Sequence, residues 1–426
     1  MEEYIRVEVV PEILKYYNKT DSKVDKYELR SLQGELNSFN SCLYGLNLSI
    51  SGNEDYSFLL KTIVDDLERQ KLSESRIRFT NEAHIYNVVV PIFKKLMFQK
   101  NVKFVPDVPY ALIKDVRSKE KLDPLDGIIV VENLVKQGYK VAPGKTLGME
   151  HCVVAVEQLG RWHALSLAMK ELNSEQFHQE VLSGFEESTW SRKSGVQVRE
   201  TITICLKRLF KYANYPKNSK TYEAMKTLER ENEDLLQYVE KLIMSSRKSK
   251  LSVLCHGEYA QSNLLYKYGK NETPISVIPV DYQLTRFASP AFDLSHFFYL
   301  NTSREIQEKY FLDLMKKYHA SLVSTMSEIL TYNKWPKDIS AVLPSLDSIL
   351  EDYHQYGAYG LIYALFFVPW MMGTEEEFVN INKAGQSGNR MSAEFSNAVW
   401  AIGGEAGTNA VLEIFDIAVA LHKVNI

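Results

Sequence analysis

Between Leu251 and Asp293 the chain sets out donors and acceptors in an order suited to handling phosphate. His256-Gly257-Glu258 follows the apolar run LSVLC, Asn263 comes five positions after Glu258, and Asp281 directly follows Val277-Ile278-Pro279-Val280. A carboxylate can orient an attacking hydroxyl, while an amide and a second carboxylate can hold Mg²⁺ against phosphate oxygens. On this reading Glu258 is the catalytic base, Asn263 and Asp281 are the metal ligands, and His256 stabilises the loop between them.

Two residues upstream extend the set. In YSFLLKTIV, the strand period places Lys61 on one face with Leu59 and Ile63. A lysine there either snorkels to the sheet edge or meets a buried anion. In SRIRFTNEAHIYNVVV, helical spacing puts Phe79, Glu82, Tyr86 and Val89 on one stripe, where an unpaired carboxylate is costly. A strand lysine paired with a helix glutamate is how kinases grip nucleotide phosphates. Each residue also has a plain alternative: a snorkelling lysine, a glutamate on a rotated helix, an aspartate in a turn. The order lysine, glutamate, acid, asparagine, aspartate along the chain favours the chemical reading. A metal hydrolase built on His256 and Glu258 is disfavoured, because no second histidine lies nearby and no HExxH pattern occurs.

These residues need elements to position them. Pro11 predicts a short helix on each side of itself. Three strands follow, in DKYELRSLQG, SCLYGLNLSI and YSFLLKTIV, with a hairpin turn at Gly52-Asn53 and a turn at Gly34–Ser38 that could lie over phosphates. After the Glu82 helix come two more strands, VPYALIKDV and GIIVVENL. The connector at Glu132-Asn133-Leu134 offers backbone groups that can bond an adenine edge. From Met149 the pattern is helical, over the rest of MEHCVVAVEQLGRWHALSLAMK and then over residues 197–213, 221–247, 303–331, 345–371 and 405–423. His163 reads as a packed, hydrogen-bonded histidine. Ser289-Pro290 reads as a helix start, Thr374–Glu377 as a capping box, and Ala384–Asn389 as a loop. A five-stranded sheet with one main helix, then a mostly helical remainder, is an α+β arrangement with its boundary near residue 132: a nucleotide-binding part over 1–132 and a catalytic part over 133–426.

Bulk properties exclude several classes. The chain of 426 residues has a formal charge of −4, which gives no broad electrostatic case for nucleic-acid binding. Four separated cysteines show no disulfide framework or C-x-x-C pair, which suits a reducing, cytoplasmic setting. The N-terminus lacks a signal-peptide pattern, and the longest apolar run, Tyr359–Met372, is too short to span a bilayer. No obligate protein partner is inferred. The aromatic-rich run around Tyr356–Trp370 reads as core, with a wall for an apolar acceptor as the alternative.

HGEYAQSN, IPVDYQL and ASPAFDL together resemble the ecdysteroid kinase-like group within the wider superfamily of choline- and aminoglycoside-kinase-type enzymes. FTNEAHIYNVVVP, VVENLVKQGYK and EQLGRWHALSLA extend the likeness, and Gln283 after Asp281-Tyr282 fits this group rather than protein kinases with their D-F-G. The resemblance implies a bilobal protein-kinase-like fold, with a small β-rich N-lobe and a larger, mostly helical C-lobe. It implies ATP-dependent phosphorylation, with Mg²⁺, of a hydroxyl on a small-molecule acceptor such as an ecdysteroid, another steroid or a xenobiotic. It places Glu258 at the catalytic acid, where the family carries Asp. Asn263 and Asp281 fall at the metal ligands, Lys61 and Glu82 at the nucleotide-phosphate pair, and Asp293 at the buried aspartate that braces the catalytic loop. The Glu258 departure keeps a second function open, that of a catalytically weak or inactive kinase-fold protein that binds a steroid-like or nucleotide ligand.

Overall fold

The computed structural model describes residues 1–32, 41–51, 54–97, 103–114, 119–190, 195–217, 219–231, 235–386 and 392–426. The turn expected at Gly34–Ser38 and the tip at Gly52-Asn53 lie outside them. The chain forms two compact units. One comprises Met1–Val141, Asn173–Ser188 and Asn263–Thr285; the other comprises Ala142–Leu172, Thr189–Ser262 and Arg286–Ile426.

The first unit is built on five antiparallel strands: β1 (Val24–Ser31), β2 (Ser41–Ile50), β3 (Glu54–Ile63), β4 (Tyr110–Ile113) and β5 (Gly127–Glu132), in the order β1-β2-β3-β5-β4. Strand alternation gives the sheet two different faces. Leu46, Leu48, Phe58, Leu60, Ile128 and Val130 form one core with Ile5, Val9, Val10, Ile13 and Leu14 of the N-terminal helical run. Lys61, flanked by Leu59 and Ile63, faces the other way. A second sheet, β6 (Tyr139–Val141), β8 (Leu264–Tyr268) and β9 (Pro274–Pro279), runs in the order β6-β8-β9.

Pro11 does not split the N-terminal helix as expected. Helix continues from Glu2 to Tyr16 because Ile5–Val9 is a π turn, with the Val10 N–H reaching back to the Ile5 carbonyl. The helix that carries Glu82 repeats the device. Ser75–His84 passes through a π turn at Ile85–Val89, again just before a proline, and ends at Leu96. A wider turn ahead of the proline accommodates its ring and missing N–H.

The second unit packs the helix Met149–Leu172 against Arg304–Tyr332, and Ala291–Asn301 against Ala358–Met371. Glycines allow both approaches. A Cβ on Gly160 would lie 2.6 Å from the Tyr318 carbonyl, and one on Gly360 would lie 2.5 Å from Ser295. One expected helix is divided, 345–371 into Leu346–Tyr356 and Ala358–Met371; over 221–247 the described residues are helical at Lys220–Glu231 and Leu235–Ser246. The Ser289 hydroxyl accepts from the Ala291 N–H at 2.9 Å, as the Ser-Pro start predicts. Thr374 and Glu377 form the reciprocal capping box, at 2.8 and 3.3 Å. The loop expected from Ala384 begins later, since helix Glu375–Gln386 runs through its first residues.

Candidate active site

In the first unit, the Lys61 ammonium bridges two carboxylates, 2.7 Å from Glu82 Oε2 and 2.8 Å from Asp281 Oδ1. Strand β3 supplies the lysine and the Ser75–His84 helix the glutamate, as the periodicities predict. Side-chain exposure grades outward across the trio, from 4% for Glu82 to 14% for Lys61 and 31% for Asp281. Burial alone would lower the Lys61 pKa, but Asp281 and Glu82 outweigh it and raise it, so the ammonium stays charged. Burial pushes the Glu82 carboxyl up against the pull of Lys61. Tyr86, one turn on, donates to Glu82 Oε1 at 3.3 Å.

Asp281 leaves the end of β9 in the left-handed region, at φ 68° and ψ 63°. Strain of this kind in a non-glycine residue persists where the surroundings fix it. Its Oδ2 accepts from Gln283 Nε2 at 3.3 Å. Asn263 stands at the start of β8, whose pairing with β9 sets Leu264 opposite Pro279. The Asn263 carbonyl accepts from the Val280 N–H at 2.9 Å, so Asn263 and Asp281 occupy neighbouring strand ends.

At the connector after β5, the Glu132 side chain is buried and occupied. It pairs with Lys103, accepts from Gln137, and accepts from the Asp107 N–H at 2.6 Å. A nucleotide role for Glu132 would therefore fall to its backbone. Leu134 is buried against Tyr139 and Ile278. A cavity of about 790 Å³ opens beside the connector, with Tyr17, Ser57, Asn133 and Gln137 in its wall.

The residues read as the catalytic loop from sequence, His256 to Glu258, lie in the second unit. Strand β7 (Val253–Cys255) pairs with β10 (Arg286–Ala288) and leads into His256-Gly257-Glu258. Asp293 braces this loop, accepting the His256 N–H at 2.6 Å and the Gly257 N–H at 2.9 Å. Gly257 takes φ +88°, a conformation that only glycine adopts freely. His163 sits between Asp293 Oδ2 at 3.1 Å and the Tyr318 hydroxyl at 2.8 Å. Burial opposes charge on Asp293, but the His163 contact, His256 and the Gly257 amide hold its pKa below the ordinary carboxylate value. His256 is buried, and its Nδ1 accepts from the Glu258 N–H at 3.3 Å. Glu258 itself is half-buried. Cys255 joins His163 and Asp293 in a buried cluster of possible metal donors, but both ring nitrogens of His163 are already engaged.

One face of the Met149–Leu172 helix holds the strand that carries this loop. Trp162 Nε1 donates to the Leu254 carbonyl at 2.8 Å, and Ser166 Oγ accepts from the Leu254 N–H at 3.0 Å. Lys170 Nζ donates to the carbonyls of Lys250 at 2.8 Å and Ser252 at 2.6 Å, and burial lowers its pKa to about 8. Residue types and spacing marked His163 and Asp293 but not Tyr318 or Lys170. Their partners are 80 or more positions away, and no local pattern marks them.

The sequence profile of the ecdysteroid kinase-like family matches residues 36–331. The chain belongs to that family. No curated protein is matched. Similar solved structures include three phosphotransferases. A macrolide 2'-phosphotransferase type I is 13% identical over 93% of this chain and 98% of its own, with a TM-score of 0.36. A variant aminoglycoside 2'-phosphotransferase-IIIa in complex with GDP is 9% identical over 92% and 94%, with a TM-score of 0.38. The apoenzyme of macrolide 2'-phosphotransferase MphH from Brachybacterium faecium is 13% identical over 92% and 98%, with a TM-score of 0.39. The fold is α+β, and the family is one of small-molecule kinase-like proteins.

Proposed function

We propose that this family member transfers the γ-phosphoryl group of ATP to a hydroxyl of a small molecule: an ecdysteroid, a related steroid or a hydroxylated xenobiotic. The observation that carries the reading is Lys61 held between Glu82 and Asp281, a largely buried ammonium beside a carboxylate that is 31% exposed. The donors at the strand ends fit Mg²⁺, since the Asp281 carboxylate and the Asn263 amide are hard oxygen ligands. Bound Mg²⁺ would neutralise phosphate charge. Lys61 would grip phosphate oxygens, with Glu82 fixing its direction. Glu132 and Leu134 would present backbone groups to the base. Glu258 would accept a hydrogen bond from the acceptor hydroxyl and aim its oxygen, with His256 and Asp293 fixing the loop. Residues 1–132 would then form the nucleotide-side part and 133–426 the catalytic and acceptor-binding part.

Cytoplasmic residence belongs to the same proposal and draws support from four free cysteines. Among the described residues, no helix is long and apolar enough to cross a membrane. Glutamate in place of aspartate at 258 favours a second reading, a ligand-binding protein with little or no transfer. Purified protein with labelled ATP, Mg²⁺ and a panel of hydroxylated steroids and xenobiotics separates the two. Acceptor-dependent label transfer that is lost in Asp281→Ala supports the kinase. Tight acceptor binding with no transfer at any Mg²⁺ concentration leaves only the second reading.

A further inference from the structure

Residues 173–188 lie between two helices of the helical unit yet join the sheet unit. Asn173 caps a short turn, with its side chain accepting from the Gln176 N–H at 3.0 Å. A π turn at Phe177–Leu182 buries Phe177 and Val181, and a turn at Ser183-Gly184 leads into an irregular stretch to Ser188. The partner of this segment is the helix that carries Glu82.

Three of its contacts are directional. Asn81, only 1% exposed, donates from Nδ2 to the Glu186 carbonyl at 2.9 Å and accepts at Oδ1 from the Glu186 N–H at 3.1 Å. The same Nδ2 lies 3.3 Å from the Gln283 carbonyl, two residues past Asp281. His84 Nε2 meets the Val181 carbonyl at 3.0 Å, and its ring meets Phe185 edge-on. Gly184 lies against that ring so closely that any Cβ there would clash with it. Asn81 and His84 stand three positions apart and so share a helix face, while Glu82 and Tyr86 form the face toward Lys61. The chain thus clamps this helix on one side and works with it on the other.

We propose that residues 173–188 are a strap that fixes the rotation and depth of the Glu82 helix, with Asn81, His84 and Gly184 as positioning residues for the Lys61–Glu82 pair. Asn81 has a further part, because one amide ties the helix to the strap and to the loop that carries Asp281. The proposal rests on the reading of Lys61 and Glu82 as the phosphate pair, but its first test does not.

Asn81→Asp keeps the acceptor and removes both donor contacts; Gly184→Val displaces the His84 ring. Hydrogen exchange of the full-length protein should show residues 75–96 exchanging about tenfold faster or more in each folded variant, with the Met149–Leu172 helix unchanged. Unchanged exchange over 75–96 in both variants would overturn the strap. The second test measures Mg-ATP affinity in a cycle with Glu82→Gln. Asn81→Asp should weaken binding several-fold when Glu82 is present and have no effect in the Glu82→Gln background. An equal loss in both backgrounds overturns action through Glu82. If the parent protein binds no ATP, the kinase reading fails, and the exchange result still decides whether the strap holds the helix.

Discussion

Lys61 holds one positive charge between two acids, so substitutions in the trio are not equivalent. Removing one partner of a buried ion pair typically costs about 3–5 kcal/mol, because the remaining charge is left without compensation. Lys61→Met should therefore lower stability by about 3 kcal/mol and abolish transfer, read by denaturant unfolding and by label transfer. Asp281→Ala should abolish transfer with a smaller stability loss, because Asp281 is the most exposed of the three. At Glu258, the side chain carries one more methylene than aspartate, moving the carboxylate by roughly 1.5 Å, and misplacement near 1 Å can cost about a hundredfold in rate. If the loop has not adjusted, Glu258→Asp should raise kcat by at least about tenfold with KM for ATP unchanged. A fall in kcat would show a loop adapted to glutamate. The pairing of Lys61 with Glu82 was legible, because period-two and period-3.6 patterns fix which way a side chain faces, while the ion pair of Lys61 with Asp281 was not. The buried occupation of Glu132 was not legible, since its partners Lys103 and Gln137 are met only after folding.

Among the elements, the N-terminal helical run contributes five buried aliphatic side chains to the sheet core. At about 1.5–3 kcal/mol for each, its contribution rivals the whole stability of a typical domain, about 5–15 kcal/mol. Deleting residues 1–17 should leave the sheet unit unfolded or aggregating, although those residues precede the family match. A folded, monomeric deletion variant with a native melting profile would contradict this. Strands, most helices and the Thr374 capping box were legible because their signals are local. The continuous helices through Pro11 and Pro91 were not, because a π turn depends on how the helix packs. Residues 173–188 carried no periodic signal either, since Asn81 and His84 define them from about a hundred positions away.

Across the molecule, one buried acid sets a pH response. Burial raises the Asp352 pKa from 3.8 to about 6, against hydrogen bonds from Ser289 and Ser249. A carboxyl whose pKa is raised by folding stabilises the fold below its unfolded value and loses that contribution as pH rises through the folded one. Asp352→Asn should therefore gain stability relative to the parent as pH climbs from about 4 to about 6, with a constant difference above that window. A variant that loses stability relative to the parent over this range, or keeps a constant offset from it, would contradict the assignment. Every role proposed for these residues requires a nucleotide and Mg²⁺ to meet at Lys61, Asn263 and Asp281. A crystal structure with a non-hydrolysable ATP analogue and Mg²⁺ tests this most directly. Lys61 Nζ should lie on phosphate oxygens, with Asn263 and Asp281 coordinating the metal. A nucleotide bound elsewhere, with Lys61 still paired to Asp281 and no metal between them, would contradict it.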